Sequence, residues 1–191
     1  VFTITVTDLD EVSPVITGPG SSTGLTSAIS VAENTTAVHT FTASETVTWS
    51  IASGADVSKF AISSTGALSF VQAPDYEIPT DNGTNNTYEV AVVATDAAGN
   101  ASTQTVTITV TNVNEAPTDI ALSASSVDEN ASIATTVGTL SATDVDAGDT
   151  FTYTLVSGTG DTDNASFTID GNTLKTAAVF DYETKSSYSV R

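Results

Sequence analysis

The 191-residue chain carries 23 acidic residues against four basic ones, and its formal net charge is −19. This charge excludes a nucleic-acid binder and an anionic membrane surface as partners, because phosphate groups repel an acidic protein. The sequence has no cysteine, which excludes disulfide bonds, cysteine-ligated zinc and thiol catalysis. No stretch is long and apolar enough to span a bilayer, so we expect no direct membrane insertion.

Short runs of alternating apolar and polar residues occur along the whole chain. Phe2–Val6, Tyr88–Val92 and Val106–Val110 are clear examples, and turns such as Asp81–Gly83 and Asp170–Asn172 separate the runs. Alternation with a period of two predicts strands with one face toward a core. Many short strands with no helical periodicity predict an all-β fold of tandem Greek-key β-sandwiches.

The sequence repeats itself after about 100 residues, which indicates an array of whole domains. Val31–Asn34 returns as Val127–Asn130, and Pro74–Glu77 returns as Phe180–Glu183. We therefore predict three parts. They are the last strand and linker of a preceding repeat at residues 1–13, a complete repeat at 14–116, and a second repeat at 117–191 that stops before its final strand.

Several acidic motifs follow one another in a fixed order. They are x-Glu-Asn on an early strand at Glu33, Asp-Tyr-Glu at Asp75, Ala-x-Asp-x-x-Gly at Asp96, an Asn- and Glu-rich linker ending at Pro117, and Ala-Thr-Asp-x-Asp-x-Gly around Asp144. In this order and spacing they resemble the cadherin repeat in its bacterial form. The resemblance implies Ca²⁺ at the junctions between repeats, and hard carboxylate oxygens are the ligands that Ca²⁺ prefers.

The resemblance implies one full set of ligands at the junction near residue 115. The implied ligands are Glu33, Asp75 and Glu77 of the complete repeat, Asn112, Asn114 and Glu115 of the linker, and Asp144 and Asp146 of the next repeat, with Asp149 as a weaker candidate. Residues two apart in an extended segment share a face, which suits both the Asp75–Glu77 pair and the Asp144–Asp146 pair. These carboxylates would repel one another strongly without cations.

Two further junctions carry incomplete sets. The one near residue 10 has Asp8, Asp10, Glu11 and Asp96, and a third would use Glu129, Asp181 and Glu183. The first lacks the Asp-x-Asp pair, because Thr42–Thr46 stands in its place, and Thr17–Gly24 resembles a loose, flexible insertion. We therefore expect this junction to bind fewer Ca²⁺ ions or to bind them more weakly.

The combined interpretation is a calcium-rigidified repeat segment of an exported, extracellular surface adhesin or fibre, in which it acts as an extender. The partners expected are neighbouring repeats, other copies of the chain or a surface polysaccharide. No enzyme is expected, because the only histidine, His39, lies in a strand-like run and no catalytic set forms around it.

Two alternatives stay open. One is a carbohydrate-binding module, which would need an exposed aromatic platform from Tyr76, Tyr88, Tyr182 and Tyr188. The other is a filament in which residues 1–8 of one copy complete the open repeat of the next copy by strand addition.

Overall fold

The computed structural model of the chain describes residues 2–7 and 9–191. The described residues form 13 strands and three short 3₁₀ turns, and they contain no α-helix. None of their helical segments could cross a membrane. The chain divides into two compact units, Val1–Val113 and Asn114–Arg191, which are called unit 1 and unit 2. The prediction of an all-β fold is confirmed.

The strands are short, as the spacing of the turns predicts. Unit 1 contains β1 (Ile16–Thr17), β2 (Thr26–Ala32), β3 (Ala37–Thr40), β4 (Thr42–Ala43), β5 (Thr48–Ser53), β6 (Phe60–Ile62), β7 (Ala67–Phe70), β8 (Thr87–Thr95) and β9 (Ala101–Thr111). Unit 2 contains β10 (Asp119–Leu122), β11 (Thr136–Thr143), β12 (Phe167–Asp170) and β13 (Thr173–Thr176). The 3₁₀ turns are Pro19–Ser21, Val57–Lys59 and Asn164–Ser166.

Unit 1 is a sandwich of two sheets. One sheet has the order β2-β9-β8-β5, the other has the order β3-β7-β6, and β1 pairs with β4. All of these pairs are antiparallel except β2 with β9, which run parallel from Thr26↔Thr105 to Ala32↔Thr111. The core lies between the sheets, where Phe70 of β7 meets Tyr88 of β8 at a ring separation of 5.1 Å.

The longest strands follow the predicted alternation. In β9 the side chains of Val106, Ile108 and Val110 are at most 1% exposed, and the threonines between them face outward or lie partly exposed. In β8, Tyr88 and Val90 are buried in the same core. Alternate residues of a strand point to opposite faces, so the apolar face of each strand packs inward.

Unit 2 has one sheet, with the order β10-β11-β13-β12. Its core contains Phe167, Leu174 and Phe180, and Tyr188 packs on Phe180 at a ring separation of 4.2 Å. A cleft of about 420 Å³ opens onto this core. Phe60 and Phe167 are buried aromatic residues of the two units, whereas Trp49 and Tyr153 are only partly buried.

The predicted strand at Phe2–Val6 is not formed. Residues 2–7 pair with no strand of the described chain, and the side chains of Phe2, Ile4 and Val6 are 99%, 87% and 90% exposed. Thr3–Thr7 nevertheless has the same sequence as Thr107–Thr111 in β9. Alternation records which side chains can face a core, but a strand exists only where a neighbouring strand supplies hydrogen bonds.

The prediction that Thr17–Gly24 is a loose insertion is wrong. Gly18 and Pro19 are buried, and the amide of Gln104 in β9 donates hydrogen bonds to the carbonyls of Gly24 (2.7 Å) and Ser22 (3.2 Å). A Cβ at Gly18 would lie 1.9 Å from the Gln104 side-chain oxygen, so a larger residue here would displace the Gln104 side chain. A long-range contact therefore orders a segment whose composition alone indicates flexibility.

One pair of repeated acids has a structural role that the sequence analysis missed. Asp56 of unit 1 accepts hydrogen bonds from the backbone N–H groups of Glu89 (2.9 Å) and Asn82 (2.7 Å). Asp163 of unit 2 likewise accepts from the backbone N–H of Ser189 (2.7 Å) and also pairs with the Lys185 ammonium group. These carboxylates hold loops onto the units, so a repeated acid need not be a metal ligand.

The Gln104 contacts generate a first prediction. Gln104→Leu removes the buried amide that donates to the carbonyls of Gly24 and Ser22, and we expect it to lower the free energy of unfolding of unit 1 by about 1–3 kcal/mol. We also expect thermolysin to cleave faster before Leu25, whose side chain is already 82% exposed. Urea unfolding and timed proteolysis measure both effects. Gln72→Leu, at an exposed position, is the control, and equal behaviour of the two variants would contradict the anchoring role.

The Asp163 contacts generate a second prediction. The hydrogen bond from Lys185, together with that from Ser189, lowers the pKa of Asp163 below 3.8, against the opposing effect of burial. A carboxyl group with a lowered pKa stabilises the folded state at pH values above the pKa of the same group in the unfolded chain. That contribution disappears as the pH falls below 3.8 through the pKa of the folded state. Asp163→Asn should therefore lose stability at neutral pH and show a shallower decline below 3.8 than the parent chain.

The measurement is the melting temperature in calcium-free buffer across that acidic range. Asp128→Asn removes an exposed carboxylate elsewhere in unit 2 and serves as the control. Parallel curves for the parent chain and Asp163→Asn would show that the ion pair does not contribute to the acid sensitivity.

Candidate metal centres

A buried glutamate organises the first candidate site in unit 1. Glu33 directly follows β2 and is 3% exposed. One of its carboxylate oxygens accepts the backbone N–H of Tyr76 at 2.7 Å, and the other accepts that of Val113 at 2.8 Å. The side chain therefore joins the Asp75–Glu77 segment to the end of the unit. A carboxylate oxygen of Glu77 lies within 4.8 Å of one of Glu33.

The same turn recurs in unit 2. Asn34 and Asn130 both adopt the left-handed conformation, with φ of 60° and 59°. Their backbone N–H groups donate to the carbonyls of Pro74 (2.9 Å) and Phe180 (2.8 Å). Asparagine tolerates this conformation better than most residues, which explains the Glu-Asn sequence of the motif. The repeated motif is thus a repeated backbone turn that aims a glutamate at the Asp-Tyr-Glu segment.

Unit 2 carries the second glutamate site in a more open form. Glu129 accepts the backbone N–H of Tyr182 at 3.1 Å, as Glu33 does for Tyr76. Carboxylate oxygens of Glu129, Asp181 and Glu183 lie within 4.8 Å of one another, and all three residues are exposed. The hydrogen bond from the Thr184 hydroxyl group (2.7 Å) lowers the pKa of Asp181; burial opposes this effect, and Glu183 adds to it. Asp181 therefore stays ionised, as a cation ligand must.

The Asp-x-Asp motif forms a third group, within unit 2. Oxygens of Asp144, Asp146 and Asp149 lie within 4.8 Å of one another, and Asp146 is only 7% exposed. The backbone N–H of Glu115 donates to Asp146 at 2.7 Å, and the N–H of Asp146 donates to Asp144 at 3.1 Å. The second carboxylate oxygen of Asp144 is buried with no hydrogen-bond partner.

That oxygen is the observation that tests the fit of a metal. A buried charged atom without a partner costs free energy, and a nearby cation removes this cost. The surrounding donors are hard oxygens that approach one point from a flexible Asp-rich turn, which matches the preferences of Ca²⁺. The residues present therefore fit a calcium ion at this group.

The fourth group lies in unit 1 and contains a residue that sequence reasoning missed. Asp10, Glu45 and Asp96 place carboxylate oxygens within 4.8 Å of one another. Desolvation alone would raise the pKa of Asp96, but hydrogen bonds led by those from the Asn100 side chain and backbone lower it overall. The Asn100 amide also donates to the backbone carbonyl of Asp10 at 3.0 Å. Glu45 lies in the segment Thr42–Thr46, which replaces the Asp-x-Asp pair, so this segment still contains one carboxylate. The position of Glu45 in the repeat was the sequence feature that could have identified it as a candidate ligand.

The remaining predicted ligands lie outside these groups or outside the described chain. Asp75 lies in the same segment as Glu77 and accepts the backbone N–H of Ile78 at 3.0 Å. Glu11 and Asn112 are exposed, and the Asn114 amide donates to the carbonyl of Glu115 at 2.7 Å. Asp8 lies outside the described residues. Their assignment as ligands stays a prediction, as does weaker binding at the junction near residue 10.

Comparisons with known proteins agree with this arrangement. Residues 123–191 match the model of the Cadherin domain. Protocadherin Fat 4 of Homo sapiens is 38% identical over 152 residues, which are 74% of this chain and 3% of that protein. The chain thus spans a very small part of this relative.

Solved cadherin structures share the fold. Mouse Cadherin-23 EC22-24 has a TM-score of 0.57 at 19% identity, covering 91% of this chain and 56% of that one. Drosophila N-cadherin EC1-4 has a TM-score of 0.56 at 20% identity, covering 91% of this chain and 42% of that one. Residues 123–191 of this chain are therefore similar to a cadherin domain, and the fold of solved cadherin structures is shared over about nine tenths of the chain.

Proposed function

We propose that this chain is a calcium-binding segment of an extracellular adhesion protein, in which bound Ca²⁺ stiffens a row of repeats. The observation that carries the proposal is the partnerless, buried oxygen of Asp144 inside a group of three carboxylates. The Cadherin domain match supports the same function, because cadherin domains are extracellular adhesion modules and not enzymes.

The proposed ligands come from both units. Unit 1 would supply Glu33, Asp75, Glu77 and Asn112, and unit 2 would supply Asn114, Glu115, Asp144 and Asp146. Bound Ca²⁺ would neutralise carboxylates that otherwise repel one another, and the net charge of −19 makes that repulsion large. Binding free energy at such a site also adds to the folding free energy of the residues that form it.

The chain's own residues prepare these sites. The carboxylates of Glu33 and Glu129 accept backbone N–H groups of the two Asp-Tyr-Glu segments, and the Asp146 carboxylate accepts the backbone N–H of Glu115. Carboxylates positioned before the ion arrives lose little conformational entropy on binding. The groups at Asp96 and at Glu129 are proposed as further sites, toward repeats on either side.

The finer identity of the protein is also a proposal. Its composition suits an exported bacterial surface protein that works as an adhesin or an extender, whereas the relative described above is human. Other copies of the chain are proposed as partners. A carbohydrate platform has little support, because Tyr88 is 1% exposed and Tyr188 packs in the core. Only Tyr76 in unit 1 and Tyr182 in unit 2 remain exposed among the four candidate tyrosines.

A filament built by strand exchange has one observation in its favour. Phe2, Ile4 and Val6 are exposed, although Thr3–Thr7 has the sequence of a segment that is fully integrated in β9. If copies exchange this segment, the particle mass should rise with concentration in light scattering, and Ile4→Asp should abolish the rise. A constant monomer mass would exclude the filament.

Calcium binding generates the main prediction. At a concentration 100 times Kd, one bound ion adds about 2.7 kcal/mol to the free energy of unfolding. We therefore expect millimolar Ca²⁺ to raise the melting temperature by about 10–20 °C. Asp144→Asn combined with Asp146→Asn should remove most of this rise, since amide oxygens carry no charge.

Calorimetry and small-angle scattering with and without Ca²⁺ measure stability and stiffness together. Asp119→Asn combined with Asp128→Asn makes the same charge change at exposed positions of unit 2 outside the groups, and it should respond like the parent chain. An unchanged melting temperature for the parent chain would mean that the acidic groups are surface charge. The cadherin likeness would then describe the fold alone.

A further inference from the structure

Unit 1 contains a loop that unit 2 lacks, directly after its Asp-Tyr-Glu motif. Tyr88 follows Glu77 by 11 positions, whereas Tyr188 follows Glu183 by five, so unit 1 has six additional residues. The additional chain includes the segment Asp81–Asn86, which is called the inserted loop. Because it lies between the candidate ligand Glu77 and β8, it is placed to influence the ligand segment.

The inserted loop has a single, internally supported conformation. The Asp81 carboxylate is 4% exposed and accepts the backbone N–H groups of Gly83 (2.9 Å), Asn85 (3.1 Å) and Asn86 (2.9 Å). The N–H of Asn82 donates to Asp56 at 2.7 Å, which attaches the loop to the rest of the unit. These bonds fix the position of the last residue of the loop, Asn86.

Asn86 contacts the ligand segment directly. Its side chain is buried, and the amide nitrogen donates to the backbone carbonyl of Tyr76 at 2.8 Å. Glu33 accepts the N–H of the same residue at 2.7 Å. Tyr76 lies between Asp75 and Glu77, so its backbone is held from both sides. Its carbonyl belongs to the peptide bond with Glu77, and the direction of that peptide sets where the Glu77 side chain begins.

The other atom of the Asn86 amide indicates why the contact matters. The side-chain oxygen is buried with no hydrogen-bond partner. Rotating the amide by half a turn would place this oxygen next to the Tyr76 carbonyl oxygen, and the two oxygens would repel each other. The hydrogen bond to Tyr76 therefore fixes the orientation of the Asn86 amide. The cost of one unsatisfied buried polar atom is comparable to the gain from one hydrogen bond. Asn86 therefore adds little net stability, and its specific effect is on the ligand segment.

The corresponding segment of unit 2 is held differently. Aligning Tyr88 with Tyr188 places Ser186 at the position of Asn86. There the Asp181 carboxylate accepts the Thr184 hydroxyl group (2.7 Å) and the N–H of Glu183 (3.1 Å). Asp75 of unit 1 likewise supports its own turn, by accepting the backbone N–H of Ile78 at 3.0 Å, and the inserted loop adds the contact from Asn86.

We propose that Asn86 is a positioning residue for cation binding by the Glu33–Glu77 group, and that the inserted loop makes this site tighter than its counterpart at Glu129. The inference rests on the proposed function, because it requires Ca²⁺ at this group. Residues that orient metal ligands through hydrogen bonds typically change metal affinity by about 10- to 100-fold when removed.

The test uses the full chain with Asn86→Gly. Glycine adopts the φ of 61° found at this position without strain, so the variant removes the side chain and keeps the backbone. Thr84→Gly is the matched control, because Thr84 is exposed, lies in the same loop and also has a positive φ of 49°. Both variants gain similar backbone freedom in the unfolded state.

The readout is a Ca²⁺ titration followed by two-dimensional ¹⁵N–¹H NMR. The amide of Tyr76 reports on the site in unit 1, and that of Tyr182 reports on the site in unit 2 in the same sample. We expect Asn86→Gly to raise the midpoint at Tyr76 by about 10-fold or more and to leave the midpoint at Tyr182 unchanged. The calcium-free melting temperatures of Asn86→Gly and Thr84→Gly should agree.

The possible failures are distinct. No response of Tyr76 to millimolar Ca²⁺ in the parent chain would overturn the proposed function at this site. A response with equal midpoints in the parent chain and in Asn86→Gly would overturn only the positioning role. If Asn86→Gly does not fold, Asn86→Asp replaces it, since it keeps the side-chain shape and removes the donor. Its added charge alone would tighten cation binding, so weaker binding supports positioning, and equal or tighter binding overturns it.

Discussion

The hydrogen bonds that the buried Glu33 carboxylate accepts are the constraint on which the candidate site of unit 1 depends. One carboxylate joins the end of β2, the Asp75–Glu77 segment and Val113, which are far apart in sequence. The preceding strand places this glutamate, because β2 runs parallel to β9 and both end at the same side of the unit. The sandwich therefore brings Glu33 and the Asp75–Glu77 segment to one end without any dedicated scaffold, and Glu129 repeats the arrangement in unit 2.

The fold was predictable where side-chain periodicity and core packing agree. The alternation in β8 and β9 identified both strands and their buried faces, because each has neighbours on both sides. Phe2–Val6 has an equally good pattern and no partner strand, so pattern alone was insufficient there. The Thr17–Gly24 segment shows the opposite error. Its glycine- and serine-rich composition indicates a flexible backbone, but the Gln104 side chain, some 80 positions away, fixes the conformation through two hydrogen bonds. A contact between such distant residues cannot be predicted from the local sequence.

The candidate sites were predictable to a similar extent and for a related reason. Acidic residues that recur in register, such as the pair Glu33 and Glu77 and the pair Glu129 and Glu183, do cluster in the structure. Recurrence does not separate a ligand from a structural acceptor, however, since Asp56 and Asp163 recur equally and bind backbone N–H groups. Glu45 and Asn86 escaped notice for a different reason. Each works through a position in space set by a loop, and Asn86 has no counterpart of the same type in the other repeat.

The parallel pairing of β2 with β9 has a mechanical consequence. The chain enters the ladder at Thr26 and leaves it at Thr111, at opposite ends of seven paired positions. Tension applied along the polypeptide on either side of unit 1 would draw the two strands past each other lengthwise. All of the interstrand bonds would then carry the load together, whereas in a hairpin pulled open from one end they break one after another. Unit 1 is thus built so that its first long strand and its last resist stretching as a shear joint, and its lifetime under load is set by the rate of unfolding more than by equilibrium stability.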